Sequence, residues 1–271
     1  MYDLHTHTYF SDGTASPTHL VEGAAAARLS LLGITDHDTT DGLREARHVA
    51  HRLGVPFICG TEIEATYDEK LHILGLGIDP NSPELCEMLD TQADRREERN
   101  ERMLRMLEYA GYDIEKYYHR GYGCTTRTHI AMALVAGGYA SSTGDAFRRF
   151  IGRDKPYYVH CDHPSMQETI DCIRSAGGVA VLAHPHKMRC DHRALFKSLK
   201  DCGLWGVEAY YADMPGEYTR YFKKLAEEFG LNITCGSDYH GRNRPEATLG
   251  CAWRDVPELA ETYEVLRKLA I

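Results

Sequence analysis

The sequence predicts an α/β protein in which crossover helices join short strands into a parallel sheet, with a helical segment inserted near the middle of the chain. Three observations predict it. Short apolar runs alternate with amphipathic stretches of about 10–15 residues, the spacing of strand–helix–strand units. Helix-start and helix-stop residues fall at the junctions between them. Between about Pro83 and Tyr158 this alternation stops, and no strand pattern of the same kind is obvious there.

The elements can be justified in order. A first strand precedes His5-Thr6-His7, and Ser16-Pro17 then opens a helix, with serine as N-cap and proline at the first helical position, where its missing N–H costs nothing. That helix runs to about Leu29 and leads into the apolar stretch Leu31-Leu32-Gly33-Ile34. A second helix runs from about Asp41 to Leu53 and stops at Gly54. Val55-Pro56-Phe57-Ile58-Cys59 reads as a strand, followed by a strand or hairpin around Leu71-His72-Ile73-Leu74. Ser165-Met166-Gln167-Glu168 is a capping box opening a helix to Ala176. Gly177-Gly178 ends it, and Val179-Ala180-Val181-Leu182-Ala183 is a buried strand. Gly206-Val207-Glu208-Ala209 and Asn232-Ile233-Thr234-Cys235 repeat the pattern after further helices.

The interruption reads as helical. Residues 84–110 make one long charged helix, and Arg127 to Val135 and Gly144 to Ile151 make two more. The expected organisation is one α/β domain formed by residues 1–82 and 159–271, with residues 83–158 inserted as a helical cap.

Composition excludes several function classes. With 271 residues, 43% hydrophobic and 26% charged, the chain has a globular balance, which excludes wholesale disorder. No apolar run approaches the roughly 18 residues of a membrane span. A net charge of −9 disfavours long nucleic acid as the main ligand, because backbone binding depends on clustered Lys and Arg. The nine cysteines form no Cys-x-x-Cys pair, and most sit in apolar contexts such as Phe57-Ile58-Cys59, as small core residues. Cys161 and His163 alone make too weak a pattern for a metal site. The N-terminus lacks the basic and apolar regions of a signal peptide, so a cytoplasmic protein is expected.

The 15 histidines carry the chemistry. In an extended segment residues i and i+2 face the same side, so His5 and His7 can point at one place. Asp12 lies in Ser11-Asp12-Gly13, and the second strand ends in Thr35-Asp36-His37-Asp38. Gly60-Thr61-Glu62 follows the third strand, and the next segment carries His72. Ala183-His184-Pro185 and Gly236-Ser237-Asp238-Tyr239-His240 follow two later strands. In parallel α/β barrels the carboxyl ends of the strands gather at one face. Imidazoles and carboxylates meeting there would hold two or three divalent cations. His48 and His51 lie on a charged helix face and read as solvated, as do His19, His119, His160 and His192, while His186 is open.

These same motifs, His5-Thr6-His7, Ser11-Asp12-Gly13, Ile34-Thr35-Asp36-His37-Asp38, Gly60-Thr61-Glu62, Ala183-His184-Pro185 and Gly236-Ser237-Asp238-Tyr239-His240, resemble those of the polymerase-and-histidinol-phosphatase (PHP) superfamily. Arg127-Thr128-His129-Ile130-Ala131 resembles an element of its stand-alone phosphoesterases. The resemblance covers almost the whole chain and implies a distorted (β/α)7 barrel with two or three divalent ions, usually Mn, Fe, Zn or Mg. It implies one metal held by His5, His7, Glu62 and Asp238, and a second with Glu62 as bridge to His72 and His184. A third would take Asp12, His37 and His240, which are therefore the catalytic candidates.

Divalent ions supply hydroxide near neutral pH and grip phosphoryl oxygens, which favours phosphate esters over neutral amides. Substrate phosphates also need donors away from the metals. Residues 127–155 carry Arg127, Arg148, Arg149, Arg153 and Lys155 against Asp145 and Asp154. Arg127, His129 and Arg148 are the expected substrate contacts there, with Lys187 a further one beyond His184. Tyr210, Tyr211 and Tyr239 would stack on a base, line a sugar pocket or pack in the core. The expected activity is metal-dependent hydrolysis of a small phosphorylated ribose or nucleotide, such as 5-phosphoribosyl 1,2-cyclic phosphate or a nucleotide 3′,5′-bisphosphate. The alternatives are a 5′–3′ exonuclease on short RNA and a non-catalytic metal-binding module.

Overall fold

Seven strands follow one another around the sheet in chain order: β1 (Tyr2–Asp3), β2 (Leu31–Ile34), β3 (Phe57–Ala65), β4 (Leu71–Leu76), β5 (Val179–Leu182), β6 (Gly206–Tyr211) and β7 (Asn232–Gly236). The computed structural model describes residues 1–67, 70–250 and 256–270, so Cys251 lies outside the described residues. The two edges of the sheet meet just past the strands. Leu4 N–H donates to the Cys235 carbonyl at 3.2 Å, Asp238 N–H to His5 at 2.8 Å, and His7 N–H to Tyr239 at 2.8 Å. The sheet is thus a nearly closed barrel, in line with the (β/α) barrel expected from the sequence.

One strand departs from the parallel expectation. β4 runs antiparallel to both β3 and β5, with Glu64 opposite His72 and Glu62 opposite Leu74. The connection from Ala65 to Leu71 is too short for a crossover helix, so the chain must turn straight back. β3 also runs on to Ala65, so Glu62 lies inside a strand rather than in a turn after one. Reversal is what brings His72 to the functional rim: an antiparallel strand starts where its parallel neighbours end.

Helices cover the outside. The expected caps are present: Ser16 accepts from His19 N–H ahead of α1 (Pro17–Ala26), and Ser165 and Glu168 close the capping box of α6 (Met166–Ser175). α2 (Leu43–Leu53) ends on Gly54 at φ 65°, the left-handed conformation glycine adopts without strain. α7 (His192–Asp201), α8 (Gly216–Phe229) and α9 (Leu259–Arg267) complete this layer.

Residues 83–158 hold α3 (Pro83–Tyr109), α4 (Arg127–Ala136) and α5 (Thr143–Ala146), which continues into a wide turn over Phe147–Ile151. α3 joins two cores. Its Leu85 and Leu89 pack with the barrel, whereas Met103 and Leu107 pack with Ile130, Leu134 and Phe150. Between these ends it buries polar side chains: Arg96 and Arg99 are each 4% exposed and Asn100 is fully buried. The Arg96 guanidinium is held by Asp38 at 2.6 Å and Glu64 at 3.3 Å, and Asn100 donates to the Thr125 carbonyl at 2.9 Å. A buried ion pair thus pins α3 beneath the rim.

Candidate metal centre

All nine predicted ligands converge on one rim. The donor atoms of His5, His7, Glu62 and Asp238 lie within 4.8 Å of one another, as do those of His7, Asp12, His37 and His240, and those of His37, Glu62 and His72. Glu62 stands at the centre. Its Oε2 faces His5 Nε2 at 3.3 Å, His7 Nε2 at 3.2 Å and His37 Nδ1 at 3.1 Å. Its Oε1 faces His72 Nδ1 at 2.6 Å and His184 Nε2 at 2.9 Å. One carboxylate oxygen turned to each side is the geometry of a bridge.

The donor set fits cations. Asp12 Oδ1, His37 Nδ1, Glu62 Oε2 and His72 Nε2 are buried and have no hydrogen-bond partner. Leaving four such atoms unsatisfied is costly unless something positive lies between them. Outer partners also fix which nitrogens face inward. His5 Nδ1 lies 3.1 Å from Glu208 Oε1, and His240 Nδ1 lies 2.8 Å from the Asp238 carbonyl, so each ring presents Nε2 to the rim. His/Asp/Glu sites of this kind suit divalent ions such as Zn, Mn or Fe.

The local fold is built around these side chains. Asp36 accepts from Thr8 N–H at 2.7 Å, Thr8 Oγ1 at 2.6 Å and Ser11 Oγ at 2.6 Å, holding the loop that follows His7. A Cβ on Gly236 would lie 2.3 Å from the His5 Cβ and 2.4 Å from Glu208, so any larger residue there would displace His5. Asp38, His184 and Asp238 have φ of 45°, 29° and 52°. Left-handed backbone is costly for such residues and concentrates at functional sites. Here it falls just after β2, β5 and β7.

Electrostatics prepare the ligand states. Burial opposes ionisation of Asp12, yet His37 and His240 hold it well below the usual carboxylate range. Glu62 is likewise low against its burial, through His72, His37 and His5, and Asp238 through Lys187, His5 and His240. Burial pushes His37 and His184 well below the ordinary imidazole value, so both are neutral. Burial also opposes charge on His5 and His7, but the surrounding carboxylates raise His5 well above the ordinary value and His7 to about 9. A field that attracts protons so strongly attracts cations too, and cation binding displaces those protons.

The expected substrate contacts separate. A cavity of about 330 Å³ opens above the rim, lined by Lys70, Thr128, Phe147, Lys187, Asn243 and Arg244 as well as the ligand set. Lys187 is there, its Nζ 2.9 Å from Asp238 Oδ2. Arg127 lies instead in an adjoining groove of about 550 Å³ with Lys70, Phe147, Arg153 and Tyr158. Its guanidinium stands 5.2 Å from the Tyr158 ring centre and 5.8 Å from that of Phe147. His129 is not brought to the cavity. Its Nδ1 accepts from Thr126 N–H at 3.1 Å, closing the capping box of α4, and burial lowers its pKa, so it is a neutral cap. Arg148 is exposed and pairs with Asp145 at 3.2 Å, an ordinary helix-surface pair.

Two site residues, Glu208 and Arg244, escaped the sequence reading, and Tyr211 takes a role other than the expected ones. Glu208 on β6 accepts from His5 and also from His184 N–H at 2.7 Å. Tyr211 donates to Asp238 Oδ2 at 2.6 Å, so it supports a ligand rather than a base. Arg244 donates to Asp238 Oδ2 at 2.7 Å and holds Asp213 at 2.8 and 3.0 Å. A carboxylate inside an apolar strand was the available signal for Glu208; Arg244 had none.

A nearly closed α/β barrel with such a rim defines a metal-dependent hydrolase. The chain belongs to the PHP domain family, whose model matches residues 3–233. It is 34% identical over 247 residues to a 5′-3′ exoribonuclease of Haemophilus influenzae, covering 88% of this chain and 89% of that protein. It is 35% identical over 246 residues to a 3′,5′-nucleoside bisphosphate phosphatase of Chromobacterium violaceum, covering 88% and 86%. To a phosphoribosyl 1,2-cyclic phosphate 1,2-diphosphodiesterase of Eggerthella lenta it is 33% identical over 249 residues, covering 89% and 94%. Among solved structures, a sulfate-bound, metal-free protein of Chromobacterium violaceum described as an amidohydrolase superposes with a TM-score of 0.90 at 31% identity, covering 100% of this chain and 97% of that one. A Bifidobacterium adolescentis protein assigned as a metal-dependent phosphoesterase superposes with a TM-score of 0.85 at 32% identity, covering 97% and 95%. The chain is a hydrolase of phosphate esters. No helix among the described residues is long and apolar enough to cross a membrane.

Proposed function

We propose that this protein hydrolyses a phosphate ester of a small phosphorylated ribose or nucleotide, with the scissile phosphate over the rim and a second phosphate in the adjoining groove. The observation that carries this reading is the pair of connected sites. One is walled by a cation-binding donor set, the other by Arg127, Arg153 and Tyr158, and Lys70 and Phe147 line both. Two anionic groups a short distance apart on one small molecule match that layout.

Two or three divalent ions, held by His5, His7 and Asp238, by His72 and His184, and by Asp12, His37 and His240 around Glu62, would lower the pKa of a water and offset phosphoryl charge. The chain's own residues do the rest. Lys187, 44% exposed at its side chain, spends one N–H on Asp238 and directs the others into the cavity. Arg244 is committed to Asp238 and Asp213, so it orients the rim. Arg127, beside the Tyr158 and Phe147 rings in that groove, is the guanidinium that would grip a phosphate in bidentate fashion. Residues 83–158 act as a cap that carries this grip over the barrel mouth. The buried thiols Cys59, Cys124 and Cys161 suit a reducing, cytoplasmic setting.

A 5′–3′ exonuclease on short RNA is the second reading, favoured by the aromatic wall of the groove, on which a base can stack. Manganese-loaded protein should release phosphate from a nucleotide 3′,5′-bisphosphate or 5-phosphoribosyl 1,2-cyclic phosphate, and mononucleotides from a short RNA if the second reading holds. Release from none of these, with metal bound, would leave a binding module. Arg127→Ala should raise KM for bisphosphorylated substrates at least about tenfold, with metal content intact, since hydrogen bonds to charged groups contribute about 1.5–3 kcal/mol each. Unchanged KM would remove the groove from the substrate path.

A further inference from the structure

We propose that Thr126 and Thr128, at the start of α4, are positioning residues that make binding of one cation depend on docking of the helical insertion. Asp12 has one oxygen turned to the rim and one turned away. Oδ1 faces His240 Nε2 at 3.1 Å and has no hydrogen bond. Oδ2 accepts from Thr126 Oγ1 at 2.9 Å and from Thr128 Oγ1 at 2.9 Å, hydroxyls 114 and 116 residues away in sequence.

The hydrogen-bond inventory closes without conflict. The Thr126 oxygen accepts from Thr128 N–H at 3.1 Å, capping α4, and its single proton goes to Asp12. Thr128 spends its proton on the same oxygen and lines the cavity with the ligand set. Two neutral donors on Oδ2 fix the carboxylate plane and leave Oδ1 as the atom that meets His7, His37 and His240. Without them only the imidazoles facing Oδ1 orient the side chain. α4 itself sits in the insertion core through Ile130 and Leu134, so its docking and the orientation of Asp12 are one event.

Linkage then runs both ways. If docked α4 favours a cation at this cluster, the cation favours docked α4 by the same free energy. The cluster of His5, His7, Glu62 and Asp238 shares His7 with it but takes its aspartate from Asp238, whose Oδ2 is held by Lys187, Tyr211 and Arg244 rather than by α4. This inference rests on reading the Asp12 cluster as a cation site.

The test is a titration of metal-free protein with manganese(II) alone, followed by calorimetry. Thr128→Val should weaken one bound equivalent about 10- to 100-fold, as loss of an outer partner does. The remaining equivalents should be unchanged, and Thr128→Ser should restore the full isotherm. In parallel, manganese should slow amide exchange across residues 126–136 in the parent protein and fail to do so in Thr128→Val. Superimposable isotherms for parent and Thr128→Val overturn the proposal, as does equal weakening of every equivalent. If Thr128→Val unfolds without metal, amide exchange in the parent decides: manganese-insensitive exchange across residues 126–136 overturns the proposal too. Phosphate release is measured separately, so an inactive protein with a selective cation defect rejects the catalytic reading alone.

Discussion

Asp12 and Asp238 sit on the same rim and are held in opposite ways. Each turns one oxygen toward imidazoles and anchors the other outside. Asp238 is anchored by two cations and a phenol, all from loops and strands of the barrel. Asp12 is anchored by two neutral hydroxyls from the start of α4. The difference teaches that one half of the rim is finished when the barrel closes, whereas the other half is finished only by a segment that packs in its own core. The charged anchor also keeps Asp238 ionised, with Lys187 the largest favourable influence against its burial.

The sharpest way to break this comparison is to remove what both halves share. Glu62→Gln should lower phosphate release by about 10³-fold or more, beyond the ~10–100-fold of losing an outer partner, and should reduce bound metal by elemental analysis. Full metal content and activity in that variant would show that the two halves are independent. Removing the ion pair that pins α3 comes next. Arg96→Met leaves Asp38 and Glu64 buried without their partner and should cost about 3–5 kcal/mol, read from denaturant unfolding. A change below about 1 kcal/mol would mean that α3 is held by apolar packing alone.

Within the barrel half, Tyr211→Phe and Arg244→Met should each weaken the manganese equivalent at Asp238 about tenfold and leave the equivalent at Asp12 alone. Weakening at both would show that Asp238 and Asp12 act as one unit. The smallest expected effect lies at the junction. Burial, with Arg96 and Arg99 against Glu64, pushes His163 down to about 4 from an ordinary 6.5. A depressed pKa means the folded state resists the proton that the unfolded chain accepts. Its contribution is therefore complete above pH 6.5 and is lost as pH falls toward 4. His163→Gln should flatten the stability profile in that window by on the order of 2 kcal/mol, and an unchanged slope between the variants would refute the assignment.

Much of the site was legible because its signals are local. A histidine pair spaced by two at the end of a strand, and acidic residues just past several others, need only the knowledge that parallel strands end at one face. The nine candidate ligands were readable for that reason, and the structure brings eight of them into clusters and sets the ninth, His184, against Glu62. The expected substrate contacts fared unevenly, because a basic residue near a helix start has several uses. His129 turned into a cap, Arg148 found Asp145, and Arg127 faced a groove beside the cavity. Local charge counts cannot choose among these, since the choice depends on which surface the helix presents.

The sequence by itself determined the alternation of strand and helix, the helix caps and the ligand types, since each depends on backbone preferences and side-chain chemistry a few residues apart. Tertiary structure alone decided the reversal of β4, the pairing of Glu208 with His5 across 203 residues, and the grip of α4 on Asp12. These contacts join groups with no sequence relation, and only closure of the barrel places them within hydrogen-bond reach, where a buried carboxylate has to find its partners.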